Sequence, residues 1–349
     1  MSVTLREIAD ASNVSVSTAS RALSGNPSIN RATAERVREA AEQLNYRSRR
    51  QVFLEGADVG LLCLGIGRSL TSLPTIAGAI EGAELALAAE GARTVFNSIP
   101  DLESPPRSLL AKVPDALILV GPLQGSSIGD SQSSVLGKLR ALPSVWMVGK
   151  PEGAWGDLVG TNDYEVGALA AKSFLDAGHQ HLAFINPKPD HELFCRREDG
   201  FRAAARRGKA LSVHSFCEAP EEGWPLPLQA PKNVEAVQAL VDQAIAQDPR
   251  PTGLFAAADS IAVLVYRALA RRGYTVGKDF SLISGNNDEA LIAGLHPSLT
   301  TCDIDAFSIG QRAVRQLSLR LEAPDGSAPC ETLLTPKMVV GESLARLRP

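Results

Sequence analysis

The sequence predicts a small all-helical domain at the N-terminus, followed by a larger α/β body of two lobes. Three observations predict it. Residues 4–44 carry apolar side chains at helical spacing, with capping residues before the helical segments. After residue 58, short apolar runs alternate with helical patterns of about a dozen residues. This alternation restarts after Val159, which indicates a second lobe. The length of 349 residues and the 44% hydrophobic content suit two or three ordinary globular domains.

The helical domain is predicted from its caps. Thr4 and Glu7 form a capping box, so the first helix should begin directly after Thr4. Ser15 caps a second helix and Asn30 a third. One small core is expected from Leu5, Ile8, Ala9, Val14, Ala19 and Leu23, and the third helix carries Val37, Ala40 and Leu44 at helical spacing. Two short helices joined by a tight turn form a helix-turn-helix unit, which indicates DNA binding, although a purely structural helical subdomain shows the same spacing.

Charge is distributed unevenly along the chain. Residues 1–50 contain eight Arg and five acidic residues, whereas the whole chain carries a net charge of −4. A basic N-terminal segment on an otherwise acidic chain is typical of a protein that binds nucleic acid through that segment.

Cysteine usage and hydropathy predict a cytoplasmic protein. The N-terminus has no apolar signal region, and no apolar run approaches the roughly 20 residues of a membrane span. The cysteines are scattered without a Cys-x-x-Cys pair, which predicts buried thiols rather than disulfides or a zinc site. We expect no metal and no cofactor. The cysteines are Cys63, Cys195, Cys217, Cys302 and Cys330.

The body is predicted to contain parallel sheets covered on both faces. Strands are expected at residues 59–64, 94–96, 116–120, 145–148, 182–185, 253–256 and 280–284. Helices are expected at residues 76–90, 164–176, around 200–206, 234–246 and 260–272. Residues 47–58 read as a linker, and residues 218–231, rich in Pro and Glu, as an exposed loop.

Several short runs of residues resemble segments of a known protein family. The run Val-Ser-Val-Ser-Thr-Ala-Ser-Arg at residues 14–21, with Leu-Asn-Tyr-Arg at 44–47, closely resembles the N-terminal domain of the LacI/GalR (lactose-repressor) family of transcriptional regulators. Residues 159–163, 178–179, 197–201, 255–259 and 297–301 resemble landmarks of its body less strictly.

The resemblance implies a periplasmic-binding-protein-like body in which the chain crosses three times between lobes, with an effector cleft between them. It also implies a homodimer on a pseudo-palindromic operator and a regulator that is a repressor, not an enzyme. The expected domains are residues 1–47 for DNA binding, 48–58 for the hinge and 59–349 for effector binding and dimerisation. The N-lobe is expected at about 59–159 and 302–325, and the C-lobe at about 160–301 and 326–349.

DNA contacts are expected mainly from the second helix, whose N-terminal residues enter the major groove. Val16 and Ser17 should meet base edges, with Arg21 one turn further along, where it can bond bidentately to guanine. Val16 packing inward, and hydroxyls merely facing solvent, are the alternatives. The remaining expected contacts, mostly hydroxyls suited to phosphates, are Thr4, Ser15, Thr18, Ser20, Ser24, Asn30 and Tyr46.

The hinge departs from the family pattern. The family has Pro and Asn shortly after the tyrosine that ends helix three, then a Leu that inserts into the minor groove. Here Tyr46 is followed by basic residues, and Leu54 is the nearest candidate for insertion. We hypothesise that Arg47, Arg49 and Arg50 partly replace that contact through phosphates or the minor groove, an ordinary solvated linker being the alternative. An unchanged salt dependence of DNA binding after all three become Ala would contradict this.

Effector contacts are expected at strand ends and crossovers. Ala258 replaces the family's usual Asn, and Asn286 with Asn287 replaces its usual paired Asp. Amides there, with arginines nearby, favour a sugar acid or sugar phosphate over a neutral sugar or nucleobase, because Arg pairs bidentately with carboxylate and phosphate. The candidate residues are Arg68, Ser69, Asn162, Asp163, Arg196, Arg197, Asp259 and Asn286.

Rival functions have weaker signals. Residues 125–129 fit a Gly-x-Ser-x-Gly nucleophile motif, but they begin five residues after the preceding strand rather than at its tip. His179 and His181 lack a partner at metal-ligand spacing, so a turn before a strand accounts for them better. A solute-binding protein of a sugar transport system would share the body but not the helix-turn-helix unit.

Overall fold

The computed structural model describes residues 5–23, 29–44, 54–104, 106, 109, 113–124, 128, 133–219, 226, 228, 234–322 and 327–347. The expected DNA contacts Thr4, Ser24, Tyr46, Arg47 and Arg49 therefore lie outside the described residues. Most of the nucleophile-like motif at residues 125–129 also lies outside them.

Three helices form the N-terminal domain: α1 (Leu5–Ala11), α2 (Val16–Leu23) and α3 (Arg31–Gln43). The predicted caps of α2 and α3 are confirmed. Ser15 Oγ accepts the Thr18 N–H at 3.1 Å, and Asn30 Oδ1 accepts the Thr33 N–H at 2.8 Å. Asn13 in the turn has a left-handed φ of 51°, a conformation that Asn tolerates better than most residues.

The core of this domain is small and largely as predicted. Its buried members are Ile8, Ala9, Ala19, Ala22, Ala34, Val37 and Ala41, with Leu5, Val14, Leu23 and Ile29 packed against them. Leu44, at helical spacing in the sequence, is 38% exposed because it follows the last residue of α3.

Two six-stranded sheets organise the body, with strand orders β11-β5-β4-β3-β1-β2 and β12-β10-β9-β8-β6-β7. All pairings are parallel except that of β10 with β12. The strands are β1 (Asp58–Leu64), β2 (Arg93–Ile99), β3 (Ala116–Val120), β4 (Ser144–Val148), β5 (Asp157–Thr161), β6 (His181–Asn186), β7 (Ser212–Cys217), β8 (Gly253–Ala256), β9 (Ser281–Asn286), β10 (Thr300–Asp303), β11 (Glu331–Leu334) and β12 (Lys337–Val339).

Helices cover these sheets, so the central strands are buried along their whole length. Strands β1, β3, β4, β5 and β8 have no exposed residue, as expected for parallel strands with both faces covered. The helices are α4 (Arg68–Thr71), α5 (Pro74–Ala89), α6 (Ser134–Leu139), α7 (Asp163–Asp176), α8 (Glu192–Arg207), α9 (Val234–Ile245), α10 (Asp259–Arg271), α11 (Glu289–Ile292) and α12 (Ala306–Glu322).

The chain passes between the lobes after β5, after β10 and between β11 and β12. The third passage differs from the prediction, which placed it near residue 325. Glu331–Leu334 pairs with β5, so this segment belongs to the first lobe, whereas Lys337–Val339 pairs with β10 of the second. Strand β11 was missed because it is an edge strand whose residues alternate between exposed and half-buried, without an apolar run.

Helices α7 and α8 cross with their backbones in contact. A Cβ on Gly167 would lie 1.8 Å from the Arg197 carbonyl oxygen, and one on Gly200 would lie 1.8 Å from the Tyr164 carbonyl oxygen. Only glycine fits at either position without moving the helices apart. This contact fixes the position of α8, whose first turns face the space between the lobes.

The cysteine prediction was correct for Cys63 and Cys302, which are buried. It was wrong for Cys195, Cys217 and Cys330, which are exposed. No helix within the described residues is long and apolar enough to span a membrane.

Candidate functional site

A cavity of about 110 Å³ lies between the two lobes. It opens at the carboxyl ends of strands from both sheets, where the sequence analysis expects the cleft. Its apolar lining consists of Ile66, Leu70, Leu73, Ile76, Gly121, Pro122, Leu123, Val148, Leu193, Phe194, Leu228, Ala258 and Ile304. Its polar lining consists of Thr75, Gln124, Thr161, Asp163, Lys188, His191, Arg197, Ser260, Asn286 and Asp288.

Hydrogen bonds across this cavity join the lobes. Thr75 Oγ1, on α5 of the first lobe, donates to Asp288 Oδ1 of the second at 2.7 Å. Gln124 Nε2, after β3, donates to the Pro189 carbonyl oxygen at 2.9 Å. These hydrogen bonds therefore hold the two lobes against each other on either side of the cavity.

A third connection between the lobes comes from Leu228, in the segment 218–231 that the sequence analysis predicts to be an exposed loop. Leu228 is only 8% exposed, and its N–H donates to the Gly65 carbonyl oxygen at 2.9 Å. Gly67 N–H donates back to the Leu228 carbonyl oxygen at 2.6 Å. The prediction is therefore wrong at Leu228, because its apolar side chain packs into the core of the first lobe and lines the cavity.

Arg197 and Asp163 form a buried ion pair at the edge of the cavity. Arg197 Nε donates to Asp163 Oδ1 at 2.7 Å, and each side chain is 2% exposed. Arg197 Nη1 also donates to the Ala257 carbonyl oxygen at 2.7 Å, which ties α8 to the end of β8. Burial raises the pKa of the Asp163 carboxyl, and the charge and hydrogen bond of Arg197 oppose that rise. Both predicted residues line the cavity.

Asp259 does not line the cavity, although the sequence analysis names it as an effector contact. It is fully buried, and it accepts hydrogen bonds from the Ser284 hydroxyl, from Thr301 Oγ1 at 2.7 Å and from the Asp288 N–H at 2.7 Å. Burial raises the pKa of Asp259 to about 6, against the lowering by these donors. Its role in this geometry is to hold the backbone of Asp288, which does line the cavity.

Other expected effector residues have structural partners instead. Asn162 caps α7, its side chain accepting the Glu165 N–H at 3.2 Å. Arg196 forms an exposed pair with Glu192 one turn earlier, at 2.7 Å. Ser69 is exposed on α4 and is not part of the lining.

Arg68 and Asn286 complete the set of expected effector residues. Arg68 begins α4, and its side chain lies outside the described atoms. Asn286 lines the cavity, and its Nδ2 donates to Asp288 Oδ2 at 3.2 Å.

The sequence analysis missed a cluster of three lining residues that follows β6: Lys188, His191 and Phe194. The rings of His191 and Phe194 stack with centroids 3.9 Å apart, and Lys188 Nζ lies 5.8 Å from the Phe194 ring. The available signal was their position after a buried strand, since ligands bind at the carboxyl ends of parallel strands.

Burial lowers the pKa values of Lys188 and His191 in this cluster. Burial lowers the pKa of Lys188 to about 8, so the amine is still mostly charged at neutral pH. Burial, with the charges of Lys188 and Arg197, lowers the pKa of His191 well below its usual range, so its ring is neutral. The Nδ1 atom of His191 is buried without a hydrogen-bond partner within the described residues.

The exposed face of α2 presents the residues predicted to read bases. Val16 is 44% exposed, which favours the groove over inward packing. Arg21 Nε donates to the Ser17 carbonyl oxygen at 3.2 Å, so its guanidinium lies along this face. Ser20 is exposed too, whereas Thr18 is half-buried and its hydroxyl lies 2.8 Å from Ser15 Oγ.

Leu54 is not available for insertion into DNA in this structure. It is 1% exposed and belongs to the core of the first lobe. The Gly56 N–H donates to the Gly91 carbonyl oxygen at 2.9 Å, which holds the turn that buries Leu54. The expected insertion of Leu54 is therefore contradicted, because an apolar side chain beside the first strand packs on the sheet.

His179, before β6, and His181, its first residue, have structural partners, as predicted. His179 Nδ1 lies 2.8 Å from Thr252 Oγ1, and its Nε2 lies 3.0 Å from the Ala345 carbonyl oxygen. His181 Nδ1 lies 2.9 Å from Ser212 Oγ.

Comparison with known families gives two matches. Residues 4–48 match the family described as bacterial regulatory proteins, lacI family. Residues 171–344 match a periplasmic binding protein-like domain. The first match falls on the helix-turn-helix domain and favours a regulator over a transport protein.

Individual relatives resemble the chain along nearly its full length. The ribose operon repressor of Haemophilus influenzae is 27% identical over 362 aligned positions, covering 99% of both chains. The HTH-type transcriptional repressor PurR of Aliivibrio fischeri is 29% identical, covering 92% of this chain and 93% of its own. Among solved structures, a lac repressor dimer bound to operator and an anti-inducer has a TM-score of 0.62 at 18% identity, covering 99% of this chain and 100% of its own.

Proposed function

Because this chain belongs to the lacI family of bacterial regulatory proteins, we propose that it represses transcription by binding a pseudo-palindromic operator as a homodimer. The exposed α2 face with Val16, Ser17 and Arg21 carries this proposal. A single helix-turn-helix domain buries too little surface for tight specific binding, and paired domains on two half-sites remedy that. The protein would work in the cytoplasm, beside the DNA, and without catalytic activity.

The proposed switch is a small carbohydrate-type effector in the cavity between the lobes. The name of the ribose operon repressor points to this class. Lys188 and Arg197 in the lining support the acidic derivatives, sugar acids or sugar phosphates, over neutral sugars.

The proposed mechanism is a population shift. A ligand that contacts both lobes favours one angle between them, and in a dimer this angle sets the spacing of the two DNA-binding domains. A complete switch requires about 5.5 kcal/mol of differential affinity for the two states. The Thr75–Asp288 bond is one contact that changes whenever the lobes move apart.

The test is a DNA-binding measurement. The purified full chain is used to select its site from random duplex DNA, and the affinity is measured by fluorescence anisotropy. We expect Arg21→Ala to weaken binding to the selected site by about 10- to 100-fold, since one bidentate Arg–guanine contact is worth about 1–3 kcal/mol. Binding to random DNA should change little.

Arg206→Ala is the matched control, because Arg206 is also exposed but lies near the end of α8 in the body. Failure to select any sequence would refute the proposed function. Equal losses with Arg21→Ala and Arg206→Ala would refute the role of α2.

A further inference from the structure

We propose that the cavity between the lobes binds a sugar acid, a polyhydroxylated ligand with one carboxylate, whose carboxylate lies on Lys188 at the end of β6 and whose hydroxyl groups lie along the ends of β8 and β9. This inference rests on the proposed function, because it selects one class of carbohydrate-type effector and gives its orientation in the same cavity. It also assigns to Lys188 the discrimination against neutral sugars.

The strand order of the second sheet places polar groups in a row along one wall of the cavity. Strands β9, β8 and β6 are parallel neighbours in this order, so their carboxyl ends lie side by side, about 4.8 Å apart. Asn286 is the last residue of β9, Ser260 follows β8 and Lys188 follows β6. The strand ends therefore present an amide, a hydroxyl and an ammonium in this order, over about 10 Å.

Several polar atoms of the lining are free to bind a ligand. The atoms without a hydrogen-bond partner within the described residues include Asn286 Oδ1, Ser260 Oγ, Gln124 Oε1, Arg197 Nη2 and Lys188 Nζ. This set mixes donors with acceptors, and a ligand hydroxyl group can both donate and accept a hydrogen bond. A ligand with several hydroxyl groups therefore suits the lining better than a ligand with few.

Lys188 supplies the site for the acidic group. Among the described residues, its ammonium has neither a hydrogen-bond partner nor a carboxylate within ion-pair distance. A cation held out of water without a counterion is unfavourable, and a ligand carboxylate would provide both the opposite charge and a hydrogen-bond acceptor. Arg197 differs because it is already paired with Asp163, so its Nη2 can donate a hydrogen bond but adds no unpaired charge.

The number of charges favours a carboxylate over a phosphate. Lys188 is the cation without a counterion among the described lining residues. A carboxylate brings one negative charge, whereas a phosphate monoester brings about 1.5 to 2 at neutral pH. The additional charge would enter a lining that contains the carboxylate of Asp288, whose side-chain partners Thr75 and Asn286 are uncharged. The lining therefore neutralises a sugar acid more completely than a sugar phosphate.

Isothermal titration calorimetry on the full chain tests the proposal with matched ligands. The probes are the aldonic acids of four to six carbons, each compared with its alditol, which lacks the carboxylate, and with its aldose phosphate. D-gluconate, D-glucitol and glucose 6-phosphate form one such set. We expect at least one acid to bind tenfold or more tightly than its alditol and its phosphate, because a charge-assisted hydrogen bond contributes about that factor. An alditol or a phosphate that binds as tightly as the best acid, or no binding by any acid, would overturn the proposal.

Hexanoate tests the need for hydroxyl groups, since it has the carbon number of gluconate and its carboxylate but no hydroxyl. We expect hexanoate to bind at least tenfold more weakly than the best sugar acid. Equal or tighter binding of hexanoate would contradict the proposal.

Lys188→Met should reduce the affinity for the sugar acid to that for its alditol and leave the alditol unchanged. Lys278→Met is the matched control, since Lys278 is exposed and outside the lining, and it should change neither affinity. Equal loss with the two lysine variants would also overturn the proposal. The comparison of acid with alditol on the unaltered protein decides the question even if Lys188→Met does not fold.

Ser260→Ala tests the orientation of the ligand. It removes a hydroxyl contact at the end of β8 and no charge, so it should weaken the acid and the alditol by the same factor. A loss confined to the acid would place the carboxylate at Ser260 and contradict the proposed orientation.

Anisotropy with the selected DNA separates this inference from the proposed function. If a neutral sugar or a sugar phosphate releases or tightens DNA while the acids do not bind, the inference fails and the proposed function stands. If a sugar acid binds through Lys188 but leaves DNA affinity unchanged, the inference holds and the proposed switch fails.

Discussion

Arg197→Met is expected to destabilise the second lobe by about 3–5 kcal/mol, because it leaves the Asp163 carboxylate buried and unpaired. The variant also removes the hydrogen bond from Arg197 to the Ala257 carbonyl oxygen, which ties α8 to β8. For a unit of this size, such a loss lowers the melting temperature by about 10 °C. Differential scanning calorimetry of the full chain measures it.

Arg196→Met is the matched control. Arg196 is the adjacent residue, but its partner Glu192 is partly exposed, and exposed pairs contribute only about 0–1 kcal/mol. The double variant Arg197→Met with Asp163→Leu should recover much of the loss, because it removes the unpaired charge. A similar melting temperature for the two single variants would contradict a structural role for the buried pair.

Gly200→Ala should destabilise the same lobe by about 2 kcal/mol, although alanine ordinarily favours a helix over glycine. The new Cβ would lie 1.8 Å from the Tyr164 carbonyl oxygen, so α7 and α8 must move apart, and such overpacking costs about 1–3 kcal/mol. Chemical denaturation with urea, followed by circular dichroism, measures the change.

Gly137→Ala makes the identical substitution where nothing lies within 4 Å of the new Cβ. Gly137 is exposed on α6, and alanine there should stabilise the protein by up to about 1 kcal/mol. Opposite signs for the two variants are expected. Stabilisation by Gly200→Ala would show that the helices separate at little cost.

Elements with a strong local signal were predicted well. The fully buried strands Ala116–Val120 and Gly253–Ala256 were predicted to the residue, because continuous apolar runs are unmistakable. Helix α8 begins eight residues before the predicted span, since the charged run at residues 196–199 separates its apolar first turn from Phe201. Strands β11 and β12 depend on pairing with β5 and β10, and pairing is not visible in a sequence without long apolar runs.

Likewise, only some of the predicted site residues line the cavity. Asp163, Arg197 and Asn286 were predicted from motifs and line the cavity, because motif positions are tied to strand ends. Asp259 was also named from a matching motif, but its side chain points to Ser284 and Thr301 within its own lobe. Leu228 was assigned to a loop by the composition around it, because its long-range pairing with Ile66 is not visible in the sequence.

Strands β11 and β12 give the protein an unusual order of assembly. They are separated by two residues, yet each supplies an edge strand to a different lobe. During synthesis, therefore, the first sheet is incomplete until residue 334 has left the ribosome, and the second until residue 339 has. Domains of many proteins finish folding one after another as the chain emerges, whereas these two lobes receive their last strands almost together, near the end of synthesis.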